Sequence, residues 1–209
     1  MLPRAWGETA SVKRALLLLV PIVIAAACTP PAPNYPYKDE PDPRNRELVL
    51  GVGDVVGINV WENSNLNTEA TIRPDGTITM PLVGDLKAVA ETPSTLRAKI
   101  KERLAEFLKL NGTEITVAVK LWRSYRFRID GEVQRPGIYS SDQYLTVADA
   151  VALAGGPTRF AKRAELKLLR TDPKTHLVKP IPLDYDLLTG GSRTDMNIYV
   201  LPGDAINLP

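Results

Sequence analysis

Residues 125–156 read "YRFRIDGEVQRPGIYSSDQYLTVADAVALAGG", and the change of pattern inside this stretch decides the fold. Its first half is a strand, a turn at Pro136-Gly137 and a return strand. Its second half is a short helix. Thr146 can cap it, Val147, Ala150, Val151 and Ala154 recur at helical spacing, and Gly155-Gly156 stop it. More strands follow. "AELKLLRTDPKTHLVKPIPL" (164–183) reads as two strands about an Asp172-Pro173 turn, "DYDLLTGG" (184–191) as a short helical turn, and "NIYVLPGDAINLP" (197–209) as a closing strand pair. A hairpin, a helix and further strands are compatible with a β-grasp-like sheet holding one helix.

Upstream lies a second unit of similar build. In "LVLGVGDVVGINVWE" (48–62) a Gly-Asp turn separates two β-rich runs, and Val56, Ile58 and Val60 share a strand face. In "EATIRPDGTITMPLVGDL" (69–86) the Pro74-Asp75-Gly76 turn should close a hairpin between Thr71-Ile72 and Thr77–Met80, because Pro presets φ and Gly tolerates φ > 0. A second hairpin is expected around Val83-Gly84-Asp85. "TPSTLRAKIKERLAEFLKL" (92–110) then takes a helical period through Leu96, Ile100, Leu104 and Leu108, with Phe107 beside them, Thr92 as cap, Pro93 first and Asn111-Gly112 as stop. "TEITVAVKLW" (113–122) returns to a strand with Ile115, Val117, Val119 and Leu121 on one face. The fold class expected is therefore α+β: two small β-rich domains, a sheet with one amphipathic helix (47–122) and a β-grasp-like domain (123–209).

The start of the chain has a different character. Lys13 and Arg14 precede an apolar run from Ala15 to Ala27, 13 residues long and too short to span a bilayer, which takes ~20. Small residues close the run before Cys28, the single cysteine of the chain. This is the layout of a secretory signal peptide over 1–27. The order of apolar core, Ala25-Ala26-Ala27 and Cys28 resembles a bacterial lipobox, with Ala25 where a larger aliphatic residue is usual; an ordinary signal with an incidental cysteine is the other reading. If the resemblance holds, Cys28 is lipidated and two or more acyl chains anchor the protein stably. Residues 29–46 contain six prolines and almost no aliphatics, so 28–46 reads as a lipidated cysteine followed by an extended, partly PPII tether.

Composition narrows the function. Three of the 26 Lys and Arg and one of the 24 Asp and Glu precede residue 28, so 23 of each remain in the mature chain. With no basic stripe, nucleic acid is not an expected partner. One histidine, His176, and one cysteine leave no multi-His or Cys-rich metal site, and no cofactor motif is present. Asp184 and Asp186 stand two apart; a helix cap and a solvated neighbour account for them better than a paired-carboxylate site. No catalytic constellation remains, so an enzyme is not expected. Gly53-Asp54 and Gly203-Asp204 echo one another, each between an aliphatic strand and a strand ending in Ile-Asn; the reading is of turns that bind nothing. Trp61, Trp122, Tyr125 and Tyr139 are the candidates for contact with sugar rings, each also placed where an aromatic covers a core edge.

"LGVGDVVGINVWE", "IRPDGTITMPLVGDL" and the helix and strand after them resemble the N-terminal domain of bacterial outer-membrane polysaccharide export proteins, the capsule and exopolysaccharide translocon family. "RIDGEVQRPGIYSSDQYLTVADAVALAGGPT" and "VLPGDAINLP" resemble the SLBB domain that follows it there. The resemblance implies a lipoprotein of the outer membrane, on its periplasmic side, that assembles as a homo-oligomeric ring around a polar conduit. It implies polymer received from an inner-membrane copolymerase and passed outward with no bond made or broken. Longer members carry a second SLBB domain and a C-terminal membrane helix. This sequence reaches Pro209 at the end of the first SLBB domain, so a separate outer-membrane β-barrel is the expected exit. A periplasmic glycan-binding or adaptor lipoprotein is the alternative, and a glycan-modifying enzyme ranks last.

Overall fold

The computed structural model describes residues 32–108, 115–173 and 175–209. Cys28 and the Asn111-Gly112 helix stop lie outside the described residues.

The first domain is built on β1 (Val55–Val60), the centre of a three-stranded antiparallel sheet flanked by β2 (Thr68–Thr71) and β5 (Ile115–Leu121). Val56, Ile58 and Val60 point to one side and are buried, as their alternation requires. A separate hairpin of β3 (Thr77–Met80) and β4 (Gly84–Lys87) adds Ile78, Met80 and Leu86 to the same core. Helix α1 (Pro93–Leu104) lays Leu96, Ile100 and Leu104 onto it. Its start follows from local chemistry. Thr92 and Thr95 form a reciprocal capping box, and Pro93 takes a position whose N–H would go unused. Phe107, beyond the helix, is exposed.

Two expectations for this domain are corrected. The Pro74–Gly76 turn forms, with Gly76 N–H donating to the Arg73 carbonyl at 2.8 Å, but it does not pair β2 with β3. β2 runs along β1, and Ile72 stays committed there by exchanging bonds with Gly53 and Asp54 (2.9 and 2.8 Å). Leu121 does not continue the inward face of β5. The register shifts so that Val55 pairs with Leu121 and Val56 with Val119, a bulge at Lys120 that turns Leu121 outward.

The second domain is a five-stranded sheet in the order β7-β6-β10-β8-β9. Its strands are β6 (Arg126–Gly131), β7 (Gly137–Ser140), β8 (Leu166–Thr171), β9 (Val178–Leu183) and β10 (Ala205–Leu208). Helix α2 (Val147–Leu153) contributes Val147, Ala150 and Val151 to the core, with Ala154 just past its end; all four are fully buried beside Phe127, Ile129, Leu168 and Ile206. Thr146 and Asp149 form its capping box, and Gly156 N–H returns to the Val151 carbonyl at 2.9 Å to close its end. The short helix α3 (Tyr185–Thr189) is capped by Asp184. The expected strand pair at the C-terminus is a single strand. β10 inserts between β6, to which it is parallel, and β8, to which it is antiparallel, while the residues before it make one bridge, Tyr199 to Thr146. Burial explains the choice: the centre of the sheet removes both Ile206 and Leu208 from water completely. Gly131 permits this close seat at φ +89°, where a Cβ would lie 2.1 Å from the Leu208 carbonyl oxygen.

The extended tether expected over 29–46 is corrected across residues 35–46. This segment forms a strap of two 3₁₀ turns, Tyr37–Asp39 and Pro43–Asn45, docked on the second domain. Tyr37 is 3% exposed within that domain's core, and its hydroxyl donates to the Pro182 carbonyl at 2.5 Å. Prolines stiffen the strap, but two tyrosines and a carboxylate hold it down.

Candidate functional site at the domain junction

The two Gly-Asp turns, echoes in sequence, have one geometry. Asp54 N–H donates to the Gly51 carbonyl (3.3 Å) and Gly51 N–H donates back to the Asp54 carboxylate (2.9 Å). Asp204 N–H donates to the Leu201 carbonyl (3.1 Å) and Leu201 N–H to the Asp204 carboxylate (2.7 Å). Gly53 and Gly203 turn the chain at φ +90° and +86°. Both carboxylates are buried, at 0% and 3% exposure. They hold distant partners as well as their own turns, and both turns line one open cleft of about 710 Å³ together with Arg123 and Arg126.

Asp54 fastens the first domain to the inter-domain linker. One carboxylate oxygen accepts the N–H groups of Arg123 (2.8 Å) and Ser124 (2.7 Å), and the other accepts the Ser124 hydroxyl (2.8 Å). Asp204 receives the Arg170 guanidinium, at 2.6 Å from Nη2. Arg170 also donates to Glu40 of the strap through Nη1 (2.6 Å) and to the Tyr199 carbonyl (2.8 Å). Lys179 (3.0 Å) and the Tyr35 hydroxyl complete the shell around Glu40. Burial pushes the Asp204 carboxyl upward against the pull of Arg170. Burial also works against charge on Glu40, but Tyr35, Lys179 and Arg170 outweigh it and hold that carboxyl below its usual range.

The aromatic candidates divide. Trp122 stacks on Tyr125 with ring centroids 4.7 Å apart and planes 14° off parallel. Tyr144, which the sequence reading missed, meets Trp122 edge-on at 4.8 Å. Tyr125 is fully buried. Its hydroxyl donates to the Val200 carbonyl and accepts the Leu145 N–H, both at 3.1 Å, so it serves the core and cannot meet a sugar. Tyr139 is half-buried against Phe127, with its hydroxyl on the Arg135 carbonyl. Trp61 is 67% exposed just past β1. The Trp122 Nε1 atom is buried without a hydrogen-bond partner among the described residues, an arrangement that costs about 1–3 kcal/mol. A tyrosine two residues before a predicted helix cap was the one available signal for Tyr144.

The remaining candidates lie apart from the junction. The Asp184 carboxylate accepts the N–H groups of Asp186 and Leu187 at 3.0 Å, while Asp186 faces Arg163 at 3.3 Å. His176 sits in the β8–β9 turn at φ +57°. Among the described residues no cluster of three or more His, Cys, Asp or Glu could hold a metal, and no helix is long and apolar enough to cross a membrane.

The body is thus a two-domain α+β structure whose linker is held by Asp54. Residues 42–120 match the polysaccharide biosynthesis/export protein family, and residues 126–177 match the SLBB domain. The chain carries a polysaccharide biosynthesis/export domain followed by an SLBB domain. Among its relatives are the exopolysaccharide production protein ExoF of Rhizobium meliloti (31% identical; 56% of this chain, 30% of the relative) and the EPS I polysaccharide export outer membrane protein EpsA of Ralstonia nicotianae (27%; 72% and 49%). The capsule polysaccharide export outer membrane protein CtrA of Neisseria meningitidis is 26% identical over 76% of this chain and 43% of its own length. The chain thus spans less than half the length of the curated relatives it matches.

Proposed function

We propose that this chain is a subunit of a polysaccharide export translocon at the outer membrane, a transport component and not an enzyme. The observation that carries the reading is the order of the two matched domains in this chain, export then SLBB, beside relatives named for capsule and exopolysaccharide export. In this reading residues 1–27 are removed, Cys28 is acylated, and the body sits on the periplasmic side of the outer membrane. The export domain (47–122) and the SLBB domain (123–209) assemble with other copies into a ring. The ring takes polymer from an inner-membrane copolymerase and delivers it to a separate outer-membrane β-barrel. Short strands at open sheet edges, β5 and β7 among them, offer surfaces for such assembly, and cyclic closure is a common way to satisfy them. Deleting the gene should abolish surface polymer while lipid-linked or periplasmic material accumulates, and native mass spectrometry of the detergent-extracted protein should show a closed multimer. Unchanged surface polymer in the deletion strain would defeat the export reading; a strict monomer at all concentrations and with the copolymerase added would defeat the ring.

A further inference from the structure

The junction holds a second, smaller cavity, lined by Leu201 and Pro202 of the Leu201–Asp204 turn and by neither Gly53 nor Asp54. Strap residues Pro41 and Pro43, the rings of Trp122 and Tyr144, and Pro202 wall a space of about 170 Å³. Arg46 and Glu47 also line it. The volume corresponds to roughly five to six water molecules, room for one ring but not for a length of polymer. The walls are flat and apolar, as the C–H faces of a sugar require for stacking. Not all of the polar groups there are engaged. The Tyr144 hydroxyl has no partner among the described residues, and burial pushes the Tyr144 phenol upward; Trp122, whose Nε1 is itself buried, offers the cavity its ring alone. Arg46 makes no ion pair among the described residues, while Glu47 accepts the Ser94 N–H at 2.8 Å. Two aromatic rings, a hydroxyl, a cation and a carboxylate around a one-ring space are the groups that recognise a polyhydroxylated six-membered ring.

We propose that this cavity, completed by the docked strap, is a subsite for a single pyranose residue of the exported polymer. The proposal rests on the export reading and names the chemical class that the junction contacts. Binding is weak by construction, because a polymer that slides cannot be held tightly at every residue.

The test uses the mature chain in detergent with Trp61→Phe, which leaves Trp122 as its one tryptophan. The Trp122 indole N–H resonance is followed by NMR during titration with methyl glucoside, methyl galactoside and methyl glucuronide, whose capped anomeric oxygen mimics an in-chain residue. The expected result is a saturable shift with a dissociation constant in the millimolar range, weakened at least roughly fivefold by Tyr144→Phe or Arg46→Ala with the rest of the spectrum unchanged. No saturable shift with any of the three glycosides would overturn the proposal. So would a shift indifferent to Tyr144→Phe, or one produced by free reducing sugars and not by the glycosides. Surface polymer measured in cells carrying the same variants separates the two levels. Export with no glycoside response removes the subsite and leaves the translocon reading standing; a glycoside response with surface polymer unaffected by gene deletion removes the translocon reading and, with it, the polymer as the source of the ring.

Discussion

Asp54 and Glu40 are buried carboxylates with opposite reach, one tying the linker and one tying the strap. Asp54→Ala leaves the N–H groups of Gly51, Arg123 and Ser124 without their acceptor, and should destabilise the folded chain by about 3 kcal/mol. The urea midpoint should fall with the m-value unchanged; a loss below about 1 kcal/mol would show that the linker is held by something else. Glu40 makes a pH-dependent contribution. Its folded pKa lies below the unfolded value near 4.5, so its stabilisation is fully present above that pH and is lost as pH falls through the folded value. Glu40→Gln should therefore lower stability at pH 7, by about 1.5–3 kcal/mol for the weakened hydrogen bonds to charged groups, and the gap between variant and parent should close on acidification below the usual glutamate range. Asp204, pushed up by burial, has the opposite sign, so the parent's own acid curve mixes the two, and the comparison with Glu40→Gln isolates one. Denaturation curves of both proteins at neutral and acid pH are the measurement.

At the scale of elements, the strap behaves as part of the second domain although it precedes the first in the chain. Tyr37→Ala empties a fully packed site and should cost about 3–5 kcal/mol. The loss should be local. Amide exchange should accelerate in β8 and β9, beside the strap, while α1 and β1 keep their protection; equal loss in both domains would mean that the strap holds the whole body and not one sheet. The strap also marks where the sequence stopped being readable. The caps of α1 and α2 were legible because Thr92 and Thr95, or Thr146 and Asp149, meet within one turn. The strap's anchors find partners far along the chain: Glu40 meets Arg170, and Tyr37 meets Pro182. No local pattern encodes such pairs, and proline-rich composition points the other way. The insertion of β10 between β6 and β8 is of the same kind, as is the meeting of Trp122 with Tyr144. The Gly-Asp turns were legible as turns; that their carboxylates are buried and hold the linker and the strap was not, since Ser124 and Arg170 carry no mark of it.

At the scale of the molecule, two cores form from segments that alternate along the chain: strap to the second, residues 48–121 to the first, and Trp122 onward back to the second. The chain therefore crosses the junction twice, and one crossing is clamped by Asp54. This arrangement sets the length of the leash. A free tether from Cys28 to Glu47 could reach about 60 Å from the membrane surface. With the fold beginning at Tyr35, a lipid on Cys28 leaves only the residues between them, a covalent reach of about 25 Å at full extension. The proposed anchor would then limit how far the strap can lie from the membrane. If Cys28 carries that lipid, the second domain, which receives the strap, would be the half kept within that reach of the membrane, and the first domain would be the half left to extend away from it.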